Sequence, residues 1–389
     1  MLRIVLVLLA LLLLPAPAYA QWEWSVPRAP GGSGLTVGNV GCTKQRTCSL
    51  VAADARGTYV LSTADLAATS RWKRVETLGP PGIATDIDCT RGDTPFCAVA
   101  GGNGPLTLWL SNAWDPLSVP IERRAADRVR VACASDRLCA VGADGLAVWT
   151  PDAWTVIDPD PVTALACASS GVCAAADATG EVLISTRPSS PASWRRYRVE
   201  RPFTILACTF VGCVGADGTH TYGIIQFEPS TWITRTAPPG LATIGCAPRA
   251  FCVATTTDGA ILLSRGLGNY EPSRTPSGPF HDATCVVSSH LCVATTPTAV
   301  MVGSRAPQLV VDYDYDRHRR GRRAIEVRLY NAVPGSRVTI DGRRYRADED
   351  GDVILSGYKL VRPGTRVRAT ARATGLAGIE HRLTDTLTA

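Results

Sequence analysis

The stretch CSLVAADARGTYVLST, from Cys48 to Thr63, consists of two apolar β-type runs separated by a short polar turn. Close variants return as CAVGADGLAVWT, from Cys139 to Thr150, and as CVATTTDGAILLS, from Cys252 to Ser264. In every copy a further cysteine stands a few residues upstream. Such a recurrence indicates that one structural unit is repeated along the chain.

The 14 cysteines fall into seven pairs, and the first members of successive pairs are 34 to 47 residues apart. Each unit contains four short β-type runs, which in the fourth unit cover residues 162–167, 173–176, 180–186 and 194–199. Four strands per unit and seven units predict an all-β chain, with a seven-bladed β-propeller over residues 21–307.

The seventh unit shows three of its four runs and then leaves the pattern at residues 304–307. At the other end of the chain, WEWSVPRAP (residues 22–30) precedes the first complete unit and has the character of an isolated fourth strand. We therefore predict that residues 22–26 complete the seventh blade and close the ring.

Residues 1–20 are predicted to be a signal peptide, because Arg3 precedes an apolar run over residues 4–14 and the segment ends on Ala18-Tyr19-Ala20. An apolar run of this length is short of the ~20 residues that span a bilayer. No later stretch is long and apolar enough to span a membrane. We expect an exported protein, extracellular or in the periplasm or cell envelope, and not membrane-spanning after cleavage.

Cysteines in an exported chain are expected to form disulfides. Zinc binding is disfavoured, since there is no Cys-x-x-Cys and the chain has only five histidines, so no metal is expected. Repeat symmetry predicts seven equivalent bridges, each joining the first two strands of a unit. The predicted bridges are Cys42–Cys48, Cys89–Cys97, Cys133–Cys139, Cys167–Cys173, Cys208–Cys213, Cys246–Cys252 and Cys285–Cys292.

Four places carry fragments of one motif between the third and fourth runs. They are Ser62-Thr63-Ala64-Asp65 with Trp72, Thr150-Pro151-Asp152 with Trp154, Ser185-Thr186 with Trp194, and Ser230-Thr231-Trp232. The fragments resemble the Ser-x-Asp-x-Gly-x-x-Trp box of the BNR, or Asp-box, propellers, a superfamily that includes sialidases and the photosystem II assembly factor type. The resemblance covers about residues 22–305 and implies a propeller fold, because the box is a folding element.

A polar residue also recurs just before the third run of most units. The positions are Asp54, Asp144, Asp177, Asp217 and Asp258, with Asn103 in the remaining full unit. A ring of such carboxylates suits calcium, but Asp-Gly and Asn-Gly are also the residues that tight hairpin turns require. We favour the turn interpretation.

Residues 308–389 form a basic segment with 16 Lys and Arg against 11 Asp and Glu, whereas residues 21–307 are balanced. Their period-two pattern, with turns at Asp341-Gly342, Asp350-Gly351 and Pro363-Gly364, resembles the carboxypeptidase regulatory-like or transthyretin-like β-sandwich. We therefore expect a small β-sandwich domain here.

The stretch DYDYDRHRRGRR (residues 312–323) begins like a calcium loop. Arg317 and Arg323, however, replace the required Gly and Glu. We predict instead a hairpin that turns near Gly321, with its returning strand at residues 324–330. A protease site within residues 317–323 is the alternative.

Arginines are frequent in the predicted strands of this segment. We predict that they form a basic face, made of Arg337, Arg343, Arg344, Arg346, Arg366, Arg368 and Arg372. Such a face suits an anionic glycan, a cell-wall polymer or lipid headgroups; the alternative is a merely solvated face. Nucleic acid is not an expected partner, because the protein is exported and aromatic residues are not interleaved with the arginines.

Motifs for catalysis are missing from the chain. VPRAP around Arg28 does not match the arginine motif of sialidases, and serine hydrolase, histidine-rich metal and phosphate-loop signatures are absent. We expect no cofactor. Only three of the 40 basic residues are lysine, which is typical of a GC-rich bacterial genome.

Candidate binding residues are those that depart from the repeat. Asp86 and Arg130 place charges in otherwise apolar first strands, and others lie in loops that lead into a first strand. The full set is Asp86, Arg123, Arg124, Arg130, Arg201, His281 and Asp282. We predict a non-enzymatic binding or assembly module for a protein or glycan partner. The alternative is a glycan-cleaving hydrolase of sialidase-like fold with a different active site, since two carboxylates can be brought together by the fold alone.

Overall fold

The structure is a computed structural model of the 389-residue chain. It describes residues 22–25, 28–30, 34–43, 46–63, 66, 71–90, 95–102, 105–121, 129–158, 160–210, 212–225, 232–247, 251–265, 270–273, 279–286, 291–319, 322–333, 335–348, 351–375 and 380–388. The predicted signal peptide, residues 1–20, lies outside these ranges. Within them the regular structure is β-strand, apart from one turn of 3-10 helix at Pro191–Ser193.

The chain divides into two compact units. The first, which we call the repeat unit, is Trp24–Gly303. The second, the C-terminal unit, contains Ser304–Ala389 together with the described residues ahead of Trp24.

The repeat unit is built from short strands. The first fourteen of the chain are β1 (Trp22–Trp24), β2 (Thr36–Cys42), β3 (Cys48–Asp54), β4 (Gly57–Thr63), β5 (Lys73–Gly79), β6 (Ala84–Cys89), β7 (Cys97–Gly101), β8 (Thr107–Leu110), β9 (Pro116–Ser118), β10 (Arg130–Ser135), β11 (Leu138–Gly142), β12 (Leu146–Trp149), β13 (Trp154–Asp158) and β14 (Val162–Cys167). The next fourteen are β15 (Cys173–Asp177), β16 (Glu181–Ser185), β17 (Arg195–Arg198), β18 (Ile205–Thr209), β19 (Gly212–Ala216), β20 (His220–Ile225), β21 (Ile233–Thr236), β22 (Leu241–Ala247), β23 (Phe251–Thr256), β24 (Ile261–Arg265), β25 (Tyr270–Pro272), β26 (Asp282–Val286), β27 (Leu291–Thr295) and β28 (Val300–Arg305).

These strands form seven four-stranded sheets. Six contain four consecutive strands each, from β2–β5 to β22–β25, and the seventh has the order β1-β28-β27-β26. Chain-neighbouring strands pair antiparallel, as in β10–β11–β12–β13. The expected four strands per unit are thus present, and the fold is propeller-like.

The strand near the N terminus pairs with the last repeat, as the sequence predicts. The Ser25 N–H donates to the Val302 carbonyl at 2.8 Å, and Arg28 and Val300 exchange two backbone hydrogen bonds of 3.1 and 2.9 Å. A Cβ at Gly303 would lie 2.6 Å from the Trp24 ring, so this position requires glycine. Val26, the last residue of the predicted strand, lies outside the described residues.

All seven predicted disulfides are present. They are Cys42–Cys48, Cys89–Cys97, Cys133–Cys139, Cys167–Cys173, Cys208–Cys213, Cys246–Cys252 and Cys285–Cys292. In each sheet the two cysteines are direct cross-strand partners, with Cα atoms 4.0 to 4.1 Å apart. Antiparallel pairs of this kind bring side chains close enough to bridge.

The first strands of the seven sheets, which we call the inner strands, lie next to one another. Each inner strand contacts the next one in the order β2, β6, β10, β14, β18, β22 and β26, and β26 contacts β2 in turn. Their approach is close: a Cβ at Gly41 would lie 2.8 Å from the Cys89 nitrogen, and one at Gly245 would lie 2.1 Å from the Ala283 carbonyl. Small and apolar residues in the inner strands allow this packing.

The recurring aspartates are turn residues. Asp54 accepts the N–H groups of Arg56 and Gly57, and Asp217 accepts those of Thr219 and His220. Burial opposes ionisation of Asp217, but these hydrogen bonds lower its pKa to about 2. Asp54 and Asp217 therefore each stabilise their own hairpin. Asn103, the sixth predicted position, lies outside the described residues.

The C-terminal unit contains seven strands. They are β29 (Gln308–Arg319), β30 (Arg322–Tyr330), β31 (Arg337–Ile340), β32 (Arg343–Arg346), β33 (Val353–Val361), β34 (Arg366–Thr374) and β35 (Glu380–Thr388). One sheet has the order β29-β30-β33 and the other β32-β31-β34-β35. Both contribute side chains, such as Val327 and Val367, to one buried core. The predicted hairpin is present as β29 paired with β30, and its turn residue Gly321 lies outside the described ranges.

Candidate functional site

One position of the repeat determines the chemistry of the inner strands. It is the residue three places before the first cysteine of each pair, and we call its seven members the pre-cysteine set. The set is Asn39, Asp86, Arg130, Ala164, Ile205, Thr243 and Asp282. All seven line one cavity of about 530 Å³. A cavity of this size is in the range that holds a small molecule or the end of a larger ligand.

The pre-cysteine set divides into two parts. Four consecutive sheets, counted from the seventh through the first to the third, contribute Asp282, Asn39, Asp86 and Arg130. The other three contribute Ala164, Ile205 and Thr243. The cavity wall is therefore charged on one side and mainly apolar on the other.

Asp86 is buried and links three sheets. Its carboxylate accepts the Asn39 side-chain amide at 2.5 Å and the Val131 N–H at 2.9 Å, as well as the N–H of Ile87 at 3.0 Å. Burial raises the pKa of Asp86, while the charge of Arg130 and these donors act in the opposite direction. Both carboxylate oxygens are thus occupied by the protein itself.

Asp282 has the equivalent arrangement between the seventh and first sheets. Its Oδ2 accepts the Val40 N–H at 2.9 Å, and its Oδ1 accepts the Ala283 N–H at 2.8 Å. Burial raises the pKa of Asp282 to about 7, and the negative charge of Asp86 acts in the same direction. Asp282 therefore changes charge close to neutral pH.

The hydrogen bonds of Asp86 and Asp282 share a physical cause. An inner strand has no further strand on its cavity side, so its N–H groups on that side lack a ladder partner. In both cases an aspartate of one sheet accepts the N–H of the next inner strand. Asp88, in the same strand as Asp86, does the same with Cys133 at 2.8 Å. These carboxylates hold neighbouring sheets together.

Arg130 differs from the two aspartates. The positive charge of Arg130 acts to lower the pKa values of both Asp86 and Asp282. Arg130 nevertheless forms no ion pair within 4.0 Å among the described residues. Its Nε is buried and has no hydrogen-bond partner there. Arg130 thus presents a cation to the cavity whose donors the described part of the chain leaves unused.

The structure brings part of the predicted site together. Asp86, Arg130, His281 and Asp282 line the cavity, and His281 is exposed. Arg201 does not line it; its guanidinium donates to Thr219 Oγ1 at 3.3 Å on the exposed surface. Arg123 and Arg124 lie outside the described residues.

Asn39 and Asp88 were missed by the sequence analysis. Asn39 becomes visible when the seven units are aligned on the first cysteine of each pair, since it then stands in the same column as Asp86 and Asp282. Asp88 stands in the column next to that cysteine, where it is the one charged residue. Their individual sequence contexts are unremarkable for a strand. The repeat register is the signal that finds them.

Two further features of the described residues bear on the class of site. They contain no group of three or more His, Cys, Asp or Glu side chains arranged to hold a metal ion. Nor do they contain a helix whose length and apolar character would suit a membrane crossing. The seven disulfides indicate folding in an oxidising environment outside the cytoplasm.

Comparison with known proteins concerns the fold. No protein-family model and no curated protein sequence matches the chain. Among solved structures, the chain is similar to Raptor from Chaetomium thermophilum, with a TM-score of 0.58 and 12% sequence identity. The match covers 74% of this chain and 29% of the Raptor chain, so the chain spans less than a third of that protein. At this identity the likeness shows shared fold alone.

Proposed function

We propose that the repeat unit is a closed seven-bladed β-propeller of the BNR type and that it is exported by the signal peptide at residues 1–20. The cyclic order of the inner strands and the pairing of Ser25 with Val302 support the ring. Deletion of residues 21–30 tests it. We expect the deleted protein to be cleaved rapidly by a protease that leaves the full chain intact, because the seventh sheet then lacks its fourth strand.

We further propose that the C-terminal unit is a β-sandwich related to the carboxypeptidase regulatory-like or transthyretin-like domains. The shared core of its two sheets supports this assignment.

The function that the cavity supports best is non-enzymatic binding of a protein or glycan partner. The observation that carries this proposal is the contrast between Arg130 and the two aspartates. Asp86 and Asp282 use their oxygens on backbone N–H groups, whereas the Arg130 Nε is buried without a partner among the described residues. A buried donor without a partner costs about 1–3 kcal/mol, which a ligand acceptor would recover.

Hydrolysis is the second candidate, and one observation favours it. A carboxyl group whose pKa is near 7, as in Asp282, suits a general acid when a second carboxylate and an arginine are close. A general acid must, however, direct its proton at the leaving group, and a nucleophile needs a free lone pair facing the substrate. The N–H donors of Val40 and Val131 hold both carboxylates along the strand edges instead.

The experiment compares binding and turnover in the same preparations. The purified oxidised protein is applied to a glycan array and used for capture from its own cell surface, alongside Arg130→Gln. Arg201→Gln is the matched control, because it removes an exposed arginine outside the cavity. We expect the native protein and the control to retain the same ligand and Arg130→Gln to lose it.

Turnover is measured on a panel of glycosides between pH 4 and pH 8. Cleavage that disappears in both Asp86→Asn and Asp282→Asn would establish the hydrolase and overturn the binding proposal. Unchanged ligand retention by Arg130→Gln would place the site away from the cavity.

A further inference from the structure

The sheet β32-β31-β34-β35 of the C-terminal unit has two chemically different faces. Along β34, Val367, Ala369 and the alternate residues that follow are buried in the core, whereas Arg366, Arg368 and Arg372 are exposed. Successive residues of a strand point to opposite faces. All the exposed arginines of β34 therefore lie on the outer face of this sheet.

The strand register extends this pattern across the whole sheet. Thr339 pairs with Arg344 on one side and with Arg372 on the other, and Arg372 pairs with Arg382. Directly paired residues share a face. One row across four strands therefore reads Arg344, Thr339, Arg372, Arg382.

A second pair of like charges lies in the neighbouring row, where Arg337 is opposite Arg346. The outer face in total carries Arg337, Arg344, Arg346, Arg366, Arg368, Arg372 and Arg382, which we call the arginine face. Arg343, which the sequence analysis grouped with them, pairs with the core residue Ile340 and lies on the other face. Arg382 was not in the predicted group.

The charges of the arginine face are not neutralised within the described part of the chain. None of the seven arginines forms an ion pair within 4.0 Å among the described residues. In the four strands of this sheet, Glu380 at the end of β35 is the one carboxylate that lies on the arginine face. Asp341, in the adjacent turn, is held by Thr370 and by the Tyr358 hydroxyl. Like charges placed directly opposite destabilise a sheet, so an anionic partner would relieve a cost that folding leaves in place.

We propose that the arginine face binds a linear acidic polysaccharide. Guanidinium groups form paired hydrogen bonds with carboxylate or sulfate oxygens. Three threonines lie between them, Thr339, Thr384 and Thr386, and offer hydroxyl groups to sugar hydroxyls. Strands about 4.8 Å apart place the row of arginines along an extended line, which suits a chain with repeating charges.

A lipid surface fits the same charges less well. Interfacial attachment uses apolar and aromatic side chains that enter the acyl boundary. The exposed partners on this face are arginine and threonine, and Tyr345, the nearby aromatic, packs against the core. An extended polymer that remains in water needs no such insertion.

The chain contains its own control. The tetrapeptide Arg-Arg-Tyr-Arg occurs in β32, at Arg343–Arg346, and again in β17, at Arg195–Arg198, with the same order of exposed and half-buried residues. The test variant is Arg344→Gln with Arg346→Gln. The control variant is Arg195→Gln with Arg198→Gln, which removes the same charge from the other copy.

Binding of the full oxidised protein to polygalacturonate and to dextran sulfate is measured over a range of salt concentrations, with neutral dextran as reference. We expect the test variant to bind at least about tenfold more weakly and with a smaller salt dependence, and the control variant to bind as the native protein does. Arg344→Lys with Arg346→Lys, which keeps the charge, is expected to lose less affinity than the glutamine variant.

Equal losses in the test and control variants would overturn the proposal, because net charge alone would then explain binding. Tighter binding to vesicles rich in phosphatidylglycerol, or to duplex DNA at the same ionic strength, would also overturn it in favour of that partner. Thermal unfolding of each variant confirms that the sheet is intact, so a folding defect cannot imitate lost binding.

Discussion

The two copies of Arg-Arg-Tyr-Arg have the same local structure and opposite electrostatic surroundings. Both are edge-of-sheet strands, and in both the tyrosine turns inward: Tyr197 packs on the core of the repeat unit and Tyr345 on that of the C-terminal unit. In β17, Arg196 is paired with Asp158 and with Glu181, the latter at 2.7 Å. The arginines of β32 have no such partner among the described residues.

This difference shows that residue type and strand position do not determine what an arginine does. Around β17 the acids come from strands β13 and β16, which are close in sequence, so the repeat neutralises itself. Around β32 the neighbouring strands contribute further arginines. In the first copy Arg196 pairs with acids of the repeat unit, whereas the arginines of the second copy form no ion pair among the described residues. An anionic partner for the second copy is our proposal. Four measurements test this contrast.

The largest difference between the two units is expected under reducing conditions. All 14 cysteines lie in the repeat unit. Each short bridge stabilises by about 2 kcal/mol, and seven together by on the order of 10 kcal/mol, which is comparable with the whole stability of a domain. We expect calorimetry with a reductant to abolish the transition of the repeat unit and to leave that of the C-terminal unit in place. Equal shifts of both transitions would refute this.

Truncation of the two tyrosines compares the packing of the copies. Tyr197 stands edge-on to Trp232, with ring centroids 5.9 Å apart. We expect Tyr197→Ala to lower the free energy of unfolding by about 3 kcal/mol and Tyr345→Ala by about 2 kcal/mol, since an aromatic pair adds to the area buried. Denaturant titration measures both. A larger loss for Tyr345→Ala would contradict the assignment.

Removal of one arginine from each copy compares their charges. Arg196→Gln leaves the buried carboxylate of Asp158 without its partner, and we expect a loss of about 1–3 kcal/mol at pH 7. Burial already raises the pKa of Asp158, and Arg196 opposes that rise. The loss should therefore shrink in acid, where Asp158 is neutral in both proteins.

The matched variant for this measurement is Arg344→Gln. It should leave the free energy of unfolding unchanged or raise it slightly at every pH, because it removes a charge from a row of like charges. If Arg344→Gln were as destabilising as Arg196→Gln, the arginine face would have a structural role.

The last measurement compares the pH dependence of stability in the two units. The pKa of Asp282 is about 7 in the folded protein, above its ordinary value of 3.8, because of burial. The folded state keeps a proton that the unfolded state releases, so the repeat unit loses stability as pH rises between about 4 and 7. The slope is at most about 1.4 kcal/mol per pH unit. Asp282→Asn should flatten it.

The C-terminal unit should respond in the opposite direction. Burial opposes ionisation of Asp341, but hydrogen bonds from Tyr358 and Thr370 lower its pKa below the ordinary value. This carboxylate therefore contributes stability above that value, and the contribution is lost as pH falls through the lowered pKa. Asp341→Asn is the control. Parallel pH profiles for the two units would contradict both assignments.

Much of the architecture was predictable because it depends on short-range patterns. Two cysteines as close in sequence as Cys133 and Cys139, each in an apolar β-type run, imply a bridge across the hairpin that joins the two runs. The fourth strand of the seventh sheet was predictable as well, since its absence after residue 303 and its presence near Trp24 are both visible along the chain. The site was only partly predictable. Asp86 and Arg130 attract attention as charges in apolar strands, whereas Asn39 does not.

The repeat, its disulfides and its strands follow from the sequence alone, because short apolar runs, turn residues and paired cysteines act over a few residues. Which side chains meet depends on how the whole chain packs. Asp282 and Val40 are distant in the chain and adjacent in space, and Arg372 faces Arg382 because of one register of β34 with β35. Register and sheet order arise from the packing of the whole core. A shift of one residue would turn the arginine face inward, and no local stretch of sequence carries that information.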